Sequence, residues 1–190
     1  MSQVMLSDFS RMRLDFEEYA SRTPGDVASV ARFTGFLQSH PAVFERSHLS
    51  GHFTGSAWLV SADGMRVLLM HHRKLDRWLQ PGGHADGDVD LARVALREAE
   101  EETGVVGLRV EAGIFDIDRH RIAARGSQAD HWHYDVRYVV HAGEDERFTI
   151  NEESLALAWR QVADVADDSS LDTSLQRMAR KWLARDGTNA

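Results

Sequence analysis

Glu98, Glu101 and Glu102 stand at i, i+3 and i+4, a spacing that puts three carboxylates on one side of an α-helix, within an arc of about 100°. Glu100 points roughly the other way. Like charges at these spacings destabilise a helix by a few tenths of a kcal/mol per pair. In the last turns of a helix they also oppose the macrodipole. A divalent cation reverses the sign of the problem, because converging carboxylates are attracted to Mg²⁺ or Mn²⁺. A dication held there would neutralise negative charge on a bound group and lower the pKa of a bound water. The plainer alternative is a solvated acidic helix, with Arg93 and Arg97 paired to Glu100 and Glu101 on the surface.

The flanking residues set the helix in place. Asp90 is placed to cap a helix that begins at Leu91, and Gly104 to end it. Ala92, Ala95, Leu96, Ala99 and Thr103 form a narrow stripe of mostly small side chains on the side to be buried. Small residues let a helix lie close to a sheet, which gives the carboxylates a firm base. Gly82 and Gly83, ahead of the helix, allow a backbone carbonyl or amide to approach a ligand.

Over residues 83–105 the chain resembles the Nudix hydrolases, whose signature is a Gly, five residues, a Glu, seven residues, and then Arg-Glu-apolar-x-Glu-Glu-x-Gly-apolar. Gly83 is the first position, and Arg97, Glu98, Ala99, Glu100, Glu101, Glu102, Thr103, Gly104 and Val105 match the second half throughout. The first Glu of the pattern falls on Val89, flanked by Asp88 and Asp90. With the flanking strand pattern the resemblance extends over about residues 51–165. It implies an α/β/α sandwich and a metal site made by Glu98, Glu101, Glu102 and the Gly83 carbonyl. It also implies Arg97 holding a carboxylate from behind. The attacking water must lose a proton. Glu98 is one candidate base; Glu153, six residues before Trp159, is the other.

Composition sets outer bounds. A chain of 190 residues, 43% hydrophobic, is long enough to bury a real core. It has no cysteine, so disulfides, thiolate zinc sites and cysteine nucleophiles are excluded. This also weighs against isopentenyl diphosphate isomerase, a chemistry of the same fold that relies on a Cys. The formal net charge of −8 argues against general binding to nucleic-acid polymers. The expected partner is a small diphosphate, nucleotide-derived, with Mg²⁺ or Mn²⁺ as cofactor and a homodimer as an option. Absence of an apolar run of membrane length and of a signal-peptide layout makes the cytoplasm the default expectation.

The surrounding elements read as a mixed sheet with helices on its faces, the α/β (α+β) class. Residues 8–21 form an amphipathic helix with Phe9, Met12, Phe16 and Tyr19 near helical spacing, and Asp26 is placed to cap a second helix reaching about Gln38. Strands are expected over 56–61 and 66–72, joined by the hairpin signal Asp63-Gly64, then over 108–118, 131–140 and 156–161. A closing helix spans 170–185, with Leu171, Leu175, Met178 and Leu183 among its apolar positions. The expected organisation is an N-terminal helical extension (1–50), a core (51–165) and a C-terminal helix packed on it (166–190).

Ten histidines complete the inventory. His131, His133 and Asp135 alternate along one strand face, a spacing that can bind zinc, so a zinc hydrolase built on His131 and His133 is an alternative. No His-Glu-x-x-His is present. His84, after the glycine pair, and His133 are candidate substrate contacts. Asp116 and Asp118 could extend the acidic site, although Arg119 and Arg121 offer partners. Trp58, Trp78, Trp132 and Phe115 lie on or beside strands, where core packing is the common role. A ligand-sensing, non-catalytic Nudix domain is a further alternative, supported by Val89.

Overall fold

The computed structural model describes residues 3–126 and 129–186. Along the chain run α1 (Gln3–Arg22), a 3₁₀ turn (Pro24–Asp26), α2 (Val27–Ser39), β1 (Gly51–Val60), β2 (Arg66–His72), β3 (Arg77–Leu79), β4 (Gly82–His84), α3 (Leu91–Thr103), β5 (Arg109–Val110), β6 (Asp116–Ile122), β7 (His131–His141), β8 (Ser154–Gln161), α4 (Val162–Asp167) and α5 (Thr173–Asp186). Mixed sheet and helices together give the expected α/β sandwich class. Two units divide the chain: one takes in the chain up to Gly55, Gly83–Val94 and Ala112–Tyr138, the other Ser56–Gly82, Ala95–Glu111 and Val139 onward.

The first unit is built on aromatic packing. The helical spacing of Met12, Phe16 and Tyr19 buries all three. Phe16 packs against Phe33 of α2 and Phe53 of β1, while Phe36 stacks on Tyr134 of β7 with ring centroids 3.8 Å apart. Burying each such ring stabilises the fold by roughly 1.5–3 kcal/mol. The N-terminal helices are therefore packed on strand residues. Asp26 makes no side-chain cap to α2; its carboxylate instead accepts a hydrogen bond from Tyr19 Oη at 2.5 Å.

In this unit β6 pairs antiparallel with β7, Asp116 opposite Arg137 through to Ile122 opposite His131. Arg137 is 3% exposed and lies among three carboxylates: its guanidinium meets Asp135 at 2.7 Å, Asp116 at 3.2 Å and Asp118 at 3.5 Å. Thr54 Oγ1 donates to Asp135 at 2.8 Å. Asp116, Asp118 and Asp135 are thereby engaged around one buried cation. Arg121 pairs with Asp130, and Arg119 lies over the Trp132 ring at 3.5 Å.

The second unit centres on β2, which pairs antiparallel with β8 along its length (Leu68 opposite Trp159), with β1 near its start (Val60 opposite Val67) and with β3 at its end (Met70 opposite Leu79). The strand expected over 108–118 is two strands. Gly113, at φ +86°, takes a left-handed conformation between β5 and β6, which breaks strand geometry. The C-terminal part is also two helices, α4 and α5. Leu175, Met178, Ala179 and Trp182 of α5 are buried, and Trp182 Nε1 donates to the Gly64 carbonyl at 2.8 Å. Leu183, expected on the apolar side, is 42% exposed. No helix of the described residues is long and apolar enough to cross a membrane.

Candidate active site

Helix α3 forms where its sequence places it. Asp90 Oδ1 accepts from the Arg93 backbone N–H at 3.1 Å, capping the first turn. At the other end Gly104, at φ +67°, closes the helix with its N–H on the Glu100 carbonyl at 2.8 Å. Ala99 joins an apolar cluster with Leu59, Leu68, Met70, Val140 and Leu157. Ala95 and Thr103 are also fully buried, and Thr103 Oγ1 donates to the Ala99 carbonyl.

The three glutamates differ in environment. Glu101 is exposed and the Glu98 side chain is mostly covered, whereas Glu102 is only 7% exposed. Glu102 Oε2 accepts the Gly82 backbone N–H at 2.9 Å. Burial raises the Glu102 pKa to about 8; the Gly82 hydrogen bond works against that rise, and the charges of Glu98, Glu153 and Glu101 add to it. Arg97 donates to Glu98 Oε1 at 3.0 Å.

Gly82 is held in place by close approach. A Cβ there would lie 2.2 Å from Ser56 Oγ and 2.8 Å from Ser56 Cα. Gly82→Ala is therefore expected to destabilise the fold by roughly 1–3 kcal/mol and to weaken the bond to Glu102, read by denaturant unfolding. Gly83, the expected carbonyl ligand, is the middle residue of β4.

Glu153 is exposed on the segment entering β8. The Arg73 N–H donates to its carbonyl at 2.9 Å, and its own N–H donates to Asn151 Oδ1 at 3.0 Å. Asn151 Nδ2 in turn donates to the Glu101 carbonyl at 3.4 Å, and the Thr149 N–H donates to the Thr103 carbonyl at 2.7 Å. The segment carrying Glu153 is thus tied to the end of α3, which places its charge where Glu102 feels it. Carboxylate oxygens are the donor type that a hard divalent cation takes, and that of Glu102 is buried and aimed by a backbone N–H.

The chain matches the NUDIX domain family over residues 52–184. It is a member of the Nudix family. A protein of Mycobacterium tuberculosis, provisionally named an 8-oxo-dGTP diphosphatase, is 32% identical over 110 residues, 55% of this chain and 49% of that one. The chain therefore spans about half the length of the relatives it matches there. Among solved structures, an Ap4A hydrolase of C. elegans has a TM-score of 0.56 at 16% identity, covering 72% of this chain and 98% of that one. The E. coli dihydroneopterin triphosphate pyrophosphohydrolase has a TM-score of 0.56 at 15% identity, covering 70% and 95%. These likenesses establish the Nudix fold. At the departing signature position, Val89 is half-buried. Asp88 is engaged by the Arg93 guanidinium at 2.6 Å, and Asp90 caps α3. Both neighbours of Val89 thus serve the start of the Nudix helix.

A second group of side chains gathers in the first unit. His133, the expected substrate contact on β7, has its ring centroid 5.1 Å from His84 of β4, 4.8 Å from His52 of β1, 5.2 Å from His131 and 5.4 Å from His120 of β6. Burial lowers the His84 pKa, and burial with neighbouring imidazoles lowers those of His52 to about 4 and His133 to about 2. Asp135, read with His131 and His133 on one face, is taken up by Arg137 instead. His52 was missed in the sequence, whereas His120, at the end of a strand, reads there as structural. His52 lies four residues before the expected start of the first strand; its i, i+2 alternation with Thr54 is the signal that could have found it. Of the aromatic residues, Trp58 and Phe115 are buried, Trp78 stacks on His71 and Trp132 underlies Arg119.

Proposed function

We propose that this Nudix chain is a metal-dependent pyrophosphohydrolase of nucleotide-derived diphosphates, acting by water attack at phosphorus. The observation that carries this reading is Glu102: a buried carboxylate, aimed by Gly82, with Glu98, Glu101 and Glu153 acting on it, on a helix that carries the Arg97–Gly104 half of the family signature. Glu98, Glu101 and Glu102, with the Gly83 carbonyl, would hold Mg²⁺ or Mn²⁺. The bound ion supplies charge neutralisation at the diphosphate and acidifies a water. Arg97 orients Glu98 through its 3.0 Å contact. Glu98 is engaged in this way, while Glu153 is exposed on a segment fastened to α3, so Glu153 is assigned as the acceptor of the water's proton. Within the first unit residues 3–50 serve as an extension packed on strand residues, and within the second unit 166–186 serve as a closing segment.

Likeness to the mycobacterial relative makes an oxidised purine nucleoside triphosphate the first compound to try. The test is a panel of 8-oxo-dGTP, ADP-ribose, a dinucleoside polyphosphate and a nucleotide sugar, each assayed by chromatography for the two phosphate-bearing fragments of anhydride cleavage, with Mg²⁺, with Mn²⁺ and with chelator. At least one is expected to turn over with metal and none with chelator. Val89 favours one competing reading, a ligand sensor. Tight binding of one panel member with no turnover under any metal would support that reading instead.

A further inference from the structure

We propose that His52, His131 and His133, with His84 beside them, form a second metal site, built from nitrogen donors and suited to Zn²⁺. One ring nitrogen from each of the three histidines lies within 4.8 Å of the other two. His131 Nε2 and His133 Nε2 are 3.3 Å apart, close to the roughly 3.4 Å that separates two ligands on a tetrahedral zinc with bonds of about 2.0–2.1 Å. The His131 Nδ1–H donates to the Ala129 carbonyl at 2.9 Å. That bond fixes the tautomer and leaves the Nε2 lone pair facing His133, as the outer partner of a metal-bound imidazole does.

An independent observation comes from His52. It is 1% exposed, and neither Nδ1 nor Nε2 has a hydrogen-bond partner. Buried polar atoms without partners are rare in folded proteins, and an ion-binding role is one of the recognised reasons. The His52 ring stacks on His131 at 5.0 Å and lies 4.8 Å from His133 and 4.9 Å from His84. Zinc taken up by the three would satisfy one nitrogen of His52, and His84 is the ring at hand for the fourth position.

The donor chemistry separates this site from the one on α3. Neutral imidazoles suit zinc and its neighbours in the first transition series, whereas magnesium requires oxygen. Loading would fasten β1 to β7 in the first unit, with β4 joining through His84, so the ion's effect is expected on stability.

The full chain, freed of metal by chelation, would be titrated with ZnCl₂ by calorimetry in excess Mg²⁺, and with Co²⁺ by visible absorption. The expected results are one zinc per chain despite the magnesium, the strong visible bands of tetrahedral cobalt, and a raised thermal midpoint. His52→Ala and His131→Ala should each weaken zinc by about 100-fold or more, while Glu102→Gln leaves it unchanged. The proposal is overturned if zinc is excluded by magnesium, if cobalt gives only weak octahedral bands, or if zinc affinity follows Glu102 and not the histidines. Should either histidine variant fail to fold, the cobalt spectrum and magnesium competition of the unaltered chain decide the matter. Hydrolysis assays of the glutamate site are a separate measurement, so neither result determines the other.

Discussion

Glu102→Gln is expected to lower metal-dependent turnover by about 10³-fold, and Glu101→Gln by a comparable factor, with the fold intact. Each factor of ten corresponds to about 1.4 kcal/mol of barrier, and a dication contributes several kcal/mol of charge stabilisation at a phosphoryl centre. Removing one of its carboxylates therefore has a large effect on rate. The isosteric amide keeps an oxygen that can accept the Gly82 N–H, so the variant should keep the fold. Unaltered turnover in both variants would remove these residues from the site.

The same residue predicts a pH dependence whose sign differs from that of an ordinary carboxylate. In the folded, metal-free chain the Glu102 pKa is raised from 4.5 to about 8. The unfolded chain gives up this proton first, so Glu102's contribution to stability is fully present below about pH 4.5 and is lost as pH rises through 8. In chelator the unaltered chain should lose stability relative to Glu102→Gln between about pH 5 and 9. Magnesium favours the ionised carboxylate, so it should restore more stability at pH 9 than at pH 6. Paired denaturant melts of the two proteins at each pH check both statements. A difference that is flat with pH would mean that Glu102 is not held in the way its burial implies.

Arg137→Met carries the largest expected effect on folding. The guanidinium is almost fully enclosed, as are the side chains of Asp116 and Asp135, at 0% and 3% exposure. Removing the cation leaves buried carboxylates without their counter-charge, which costs about 3–5 kcal/mol, a large part of the 5–15 kcal/mol that holds a typical domain together. Urea unfolding at pH 7 reads this directly. If the variant is as stable as the original chain at pH 7, the buried cluster has no such role.

Much of this was legible along the chain because its signals are local. Asp90 and Gly104 bound α3 by chemistry that spans only a few residues, and Asp63-Gly64 makes the turn between β1 and β2 for the same reason. What was not legible depended on partners distant in sequence. Gly51 and Gly55 dilute the strand pattern around His52, yet the Phe53 N–H pairs with the Val43 carbonyl and the Phe53 carbonyl accepts from the Ala85 N–H. Tertiary pairing thus extends β1 and buries His52. The break at Gly113 is marked by one glycine in a run that otherwise reads as strand. Pairing resumes on either side of it, at Glu111 with Val139 and at Phe115 with Arg137. Arg137 was overlooked because charge patterning looks for neighbours at helical spacing, and its partners come from two strands.

The most direct measurement is a manganese titration followed by the loss of the free-ion electron paramagnetic resonance signal, on the unaltered chain and on Glu102→Gln, with a methylene-bridged nucleotide analogue present. Both proteins keep every histidine, and manganese is the weakest of the divalent first-row ions for nitrogen donors, so the comparison isolates the carboxylates. Tighter binding to the unaltered chain, by about tenfold or more, is the predicted result. Equal affinity in the two proteins would contradict the claim that these glutamates are gathered to hold a dication.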